Sequence, residues 1–138
     1  MKVLIREAKI IDKASSHHGK IADVLINKGI IAEIGKNLKA KADKTVDGKG
    51  KILTPGWFDL KAQVGDPGFE HKEDLNSVAE AALAGGFTGL AILPNNKPVT
   101  QTKNDINYIR SKSHSGVEFH PIGAVTIDTK GEDLTEMI

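Results

Sequence analysis

A chain of 138 residues is one ordinary domain's worth, or a piece of something larger. Hydrophobic residues at 39% beside charged residues at 27% describe a soluble globular chain, and a net charge of +1 gives no reason to expect nucleic acid or an acidic membrane surface. The absence of cysteine excludes disulfides, thiolate metal sites and a cysteine nucleophile, and one Trp, one Tyr and four Phe are too few for a single-strand stacking platform.

Met1-Lys2 leads straight into a patterned strand without an apolar signal region, and no run approaches the roughly 18 apolar residues of a membrane span. A cytoplasmic location is the expectation. Val3–Ile5 and Lys9–Ile11 read as short strands, followed by the polar loop Asp12–Lys20 with His17 and His18. Ile21–Ile26 and Ile30–Ile34 are β-branched runs joined through Asn27-Lys28-Gly29, the pattern of a hairpin. Asp47-Gly48 marks a further turn before Lys51–Leu53. Residues 1–53 are expected to form a small β-domain, part of a sandwich.

From residue 54 the rhythm changes to alternating strand and helix. Trp57, Phe58 and Leu60 after the Pro55-Gly56 turn read as a short buried strand. Ser77-Val78-Ala79-Glu80 has the form of a capping box, Leu75, Val78, Ala79 and Ala82 give a helical apolar stripe, and Gly85 stands where a terminating glycine belongs. Phe87–Leu93 is the next strand, Gln101–Ser113 a second helix with Ile106 and Ile109 inward, Val117–Val125 a third strand, and Gly131–Ile138 the start of a third helix. Strand–helix–strand–helix–strand predicts a parallel sheet with helical crossovers. Three strands do not close a β/α barrel, which needs eight, so residues 54–138 are expected to be its first units, either the front of a longer product or a chain dependent on self-association.

The stretch Thr54–Gly68 carries the chemistry. If its strand is regular, Asp59, Lys61 and Gln63 project from one face. They supply one carboxylate, one ammonium and one amide, and a lysine at neutral pH has no lone pair to offer a metal. Lys61 and Gln63 read as polar filling of a barrel interior; the Lys61 ammonium in place of a missing cation, offsetting Asp59, and a Schiff-base lysine are the alternatives. Asn95, after Pro94 at a strand's C-terminal end, is either turn chemistry or an amide that binds a carboxylate or ring carbonyl. The histidines are poor metal candidates: His17 and His18 are adjacent in a polar loop, His71 lies in the Pro-Gly loop, His114 near a helix end and His120 before Pro121, and none shows H-x-H or H-E-x-x-H spacing. Gly85-Gly86 reads as a helix terminus rather than a phosphate loop. Asp66, Glu70, Glu73 and Asp74 read as a solvated loop.

The run Pro55-Gly56-Trp57-Phe58-Asp59-Leu60-Lys61-Ala62-Gln63-Val64-Gly65-Asp66-Pro67-Gly68, continuing Phe69-Glu70-His71-Lys72-Glu73-Asp74, resembles the first barrel strand of the cyclic amidohydrolases, most closely the dihydroorotases. Ala84-Gly85-Gly86-Phe87-Thr88, Leu93-Pro94-Asn95-Asn96-Lys97-Pro98 and Pro121-Ile122-Gly123-Ala124-Val125-Thr126 extend the likeness over nearly the whole chain. The resemblance implies an α/β fold, the N-terminal part of an amidohydrolase-type β/α (TIM) barrel preceded by strands of a small β-sandwich. It aligns the two metal-binding histidines of H-x-H with Lys61 and Gln63, and the substrate-carboxylate arginine with Gly65. Asn95 aligns with the substrate-binding asparagine, and Asp59 is retained.

In active relatives a zinc-activated hydroxide opens the cyclic amide of dihydroorotate, since a metal lowers the pKa of bound water from 15.7 to about 7. The resemblance therefore implies a dihydroorotase-like protein of pyrimidine biosynthesis without catalysis and without a metal cofactor in this chain. It implies a structural partner's role, with aspartate transcarbamoylase as the partner, and no nucleic acid or membrane. Two alternatives stay open: an active cyclic amidohydrolase with metal ligands from later strands, and a small-molecule binding protein using the vacated pocket.

Overall fold

β-Branched runs broken by tight turns make a single sheet of the first unit, Met1–Pro55. The computed structural model describes residues 1–113 and 116–136. Five strands, β1 (Lys2–Ile10), β2 (Ile21–Asn27), β3 (Ile30–Gly35), β4 (Lys44–Asp47) and β5 (Ile52–Leu53), are ordered β3-β2-β1-β4, with β5 also paired to β1. The hairpin between β2 and β3 turns at Lys28 and Gly29, both with positive φ, as a type I′ turn requires.

The two short strands expected over residues 3–11 are one strand with a bulge. Ile5 pairs with Val24 and Ala8 with Ala22, so three steps along β1 match two along β2, and Glu7 takes φ 52°. The extra residue shifts the alternation by one. Ile5 and Ile10, five apart, thereby reach the same apolar cluster with Ala22, Val24, Ile26, Ile34 and Leu53.

A buried carboxylate holds the bulge. Asp23 accepts from the Glu7 N–H at 3.0 Å, the Leu38 N–H at 3.0 Å and Nη1 of Arg6 at 2.6 Å. Burial works to raise its pKa, but the Glu7 N–H, the Arg6 guanidinium and the Leu38 N–H together outweigh burial and hold the carboxyl below the ordinary range.

In the second unit, Gly56–Ile138, the strands β6 (Trp57–Ala62), β7 (Phe87–Ile92) and β8 (Glu118–Pro121) form a parallel sheet in the order β6-β7-β8. The helices α1 (Leu75–Ala84) and α2 (Lys103–Ser111) are the crossovers. Leu75, Ala79 and Ala82 of α1 and Ile109 of α2 close over Ala62, Val64, Leu90, Ile92, Val117 and Phe119. A fully buried leucine or phenylalanine of this kind stabilises by about 1.5–3 kcal/mol.

Several sequence expectations shift here. The first helix is capped by Asp74 rather than Ser77: Oδ1 of Asp74 accepts from the Ser77 N–H at 2.8 Å, and the Ser77 hydroxyl accepts from the Asp74 N–H at 3.2 Å. This earlier start seats Leu75 in the core. At the other end Gly85 is right-handed and Gly86 takes the left-handed turn at φ 81°. The second helix is shorter than residues 101–113, because Thr102 and Asp105 cap it reciprocally.

The third strand ends at Pro121; Ile122 still donates to Ile92 O at 2.8 Å, and Ala124 then turns its N–H to Thr100 O at 2.8 Å. Gly131 to Glu136 are not helical. Gly131 is left-handed and bonds the Thr126 hydroxyl at 3.0 Å, and Leu134 bridges back to Thr126. His114, like the end of the expected third helix, lies outside the described residues.

The largest difference concerns β6. Trp57, Phe58 and Leu60 were expected inside, yet they are 56%, 48% and 77% exposed. The strand is an edge of its sheet, so only its β7 side is paired.

Candidate functional site at the carboxyl end of the parallel sheet

The chain leaves β6, β7 and β8 at one end of the sheet, and the three following loops are bonded to one another there. Lys97 N–H donates to Pro67 O at 3.1 Å, joining the loop after β7 to the loop after β6. The Ala124 bond to Thr100 O joins the segment after β8. Gln101 adds a side-chain clamp, accepting from the Asp128 N–H at 2.7 Å and donating to the Asp128 carboxylate at 3.3 Å. Asp105 caps α2 nearby; burial pushes its pKa up, but the Gln101 and Thr102 hydrogen bonds more than offset this and lower it.

Beneath these loops lies a polar network that sequence reading missed. Asp66, expected in a solvated loop, is buried. Its Oδ1 accepts from the Tyr108 hydroxyl at 2.8 Å, and its Oδ2 faces the Leu75 N–H at the start of α1 at 3.4 Å. The hydrogen bond to Asp66, ahead of burial, raises the Tyr108 pKa. Asn96, 4% exposed, donates from Nδ2 to Asp66 O at 3.2 Å and to the Thr100 hydroxyl at 3.3 Å. The available signal was the Asp-Pro-Gly turn, where an aspartate commonly bonds locally. Of the other loop carboxylates, Asp74 caps α1 and exposed Glu70 takes the Gly68 N–H at 2.8 Å, which lowers its pKa.

The residues singled out from sequence are placed as follows. Asp59 sits opposite Leu90 and Ala62 opposite Ile92, so three steps of β6 match two of β7. The alternation that would carry Asp59, Lys61 and Gln63 to one face is interrupted between them. Asp59 turns its carboxylate onto its own strand, accepting the Lys61 N–H at 2.8 Å. Lys61 and Gln63 are exposed. Among the described residues no ion pair joins Lys61 to Asp59, so the ammonium does not stand in for a cation beside that carboxylate.

Gly65 is closed to substitution as well as lacking a side chain. A Cβ there would overlap the backbone carbonyls of Phe69 and Glu73, so the loop in this path has no room for an arginine. Asn95 is exposed beside buried Asn96 at the carboxyl end of the sheet.

The ammonium of Lys61 and the amide of Gln63 do not fit a zinc ion, and among the described residues no three His, Asp or Glu side chains group to hold a metal. No helix among the described residues is long and apolar enough to cross a membrane.

Comparison with known proteins agrees with this geometry. Among solved structures, L-hydantoinase (dihydropyrimidinase) from Arthrobacter aurescens superposes with a TM-score of 0.74 at 24% identity, over 90% of this chain and 28% of that one. A crystallised dihydroorotase superposes with a TM-score of 0.63 at 18% identity, over 92% of this chain and 32% of that one. These likenesses define the class by fold: an α/β chain in which one five-stranded sheet is followed by parallel strand–helix–strand units.

The sequence profile described as Dihydro-orotase-like matches residues 50–138. The dihydroorotase of Geobacter metallireducens is 41% identical over 140 residues, covering 99% of this chain and 33% of that protein. The dihydroorotase of Acetivibrio thermocellus is 37% identical over 137 residues, covering 98% and 32%. The chain belongs to the dihydro-orotase-like family, and spans about a third of the length of the curated relatives it matches.

Proposed function

We propose that this chain is a dihydroorotase-like protein of pyrimidine biosynthesis that has lost the metal chemistry of its first barrel strand and acts as a structural partner of aspartate transcarbamoylase. The observation that carries the loss of chemistry is the state of β6. Lys61 and Gln63 stand where two imidazoles would be needed, and Asp59 is turned onto the strand's own backbone. Gly65 adds to it, because no cationic side chain fits there to hold a substrate carboxylate. The transcarbamoylase role rests on the family resemblance.

A second reading keeps catalysis: a cyclic amidohydrolase whose metal ligands come from later strands. Two facts favour it. The matched relatives carry the name dihydroorotase and are about three times as long, and the loops at the carboxyl end of the sheet are bonded to one another, with Asn95 exposed among them.

Metal content by plasma mass spectrometry and dihydroorotate hydrolysis, measured on one purified sample, separate the readings. The structural reading expects no stoichiometric zinc, no turnover, and co-elution with aspartate transcarbamoylase in size-exclusion chromatography. Stoichiometric zinc with turnover overturns the loss of catalysis. Separate elution at concentrations of tens of micromolar overturns the partnership.

A further inference from the structure

We draw no further inference here: the strongest candidate, the cleft between α2 and the segment after β8 lined by Gln101, Ile106, Arg110 and Thr135, is open in a chain that spans about a third of the length of its relatives, and nothing in the structure shows what covers it.

Discussion

The Tyr108 hydroxyl donates to Oδ1 of Asp66 across 2.8 Å, joining residues 42 positions apart. Through this bond α2 holds the loop that follows β6, and the same carboxylate meets the start of α1. The loop bearing Asn95 is attached to this assembly by Asn96, so the geometry at the carboxyl end of the sheet rests on buried polar groups.

Tyr108→Phe removes a donor to a buried carboxylate and leaves one of its oxygens unpaired. Hydrogen bonds to charged groups contribute about 1.5–3 kcal/mol. Urea unfolding should show a loss in that range, and an unchanged midpoint would mean that water replaces the phenol.

Asp23→Asn should cost about 2 kcal/mol, because a neutral amide weakens the charge-assisted bonds from Arg6, Glu7 and Leu38. The pH dependence has a definite sign. The Asp23 pKa is depressed in the folded chain below its ordinary 3.8, so its contribution is fully present above that value and is lost as pH falls through the folded pKa. Denaturation midpoints followed from neutral pH downward should fall more steeply below about pH 4 for the unsubstituted chain than for the variant.

Gly68→Ala should be severely destabilising. Gly68 has φ 99°, outside the range L side chains favour, and a Cβ there would overlap the Lys97 carbonyl. Strain alone costs about 1–3 kcal/mol. Amide exchange should rise first in the loops after β6 and β7; retained protection there would contradict the tight approach of Gly68 to Lys97.

The double variant Lys61→His/Gln63→His places an H-x-H pair at positions 61 and 63. It should take up zinc detectable by plasma mass spectrometry without gaining dihydroorotate hydrolysis, since Gly65 still offers no room for an arginine. Turnover in this variant would show that those two side chains alone had removed catalysis.

Much of the fold was legible in sequence because it follows local rules. The β2–β3 hairpin came from Lys28-Gly29, and the strand–helix alternation after residue 54 from hydrophobic period and caps. The class of protein followed from motifs in fixed order, and the unsuitability of Lys61 as a metal ligand from the chemistry of an ammonium. These conclusions need only the covalent chain.

What remained hidden depends on neighbours distant in sequence. Register decided that Asp59 parts from Lys61 and Gln63, because a bulge is set by the pairing of β6 with β7 and leaves no trace in a spacing of two. Trp57, Phe58 and Leu60 are exposed, which their residue types do not announce, since an apolar run reads alike on a covered and an uncovered face. Burial of Asp66 required Tyr108 to reach it from 42 positions away. The sequence by itself determined most of the strands and both crossover helices, and that an ammonium at Lys61 offers no lone pair to a metal; only tertiary structure decided which side chains meet, because alternation along a strand holds until pairing with another strand interrupts it.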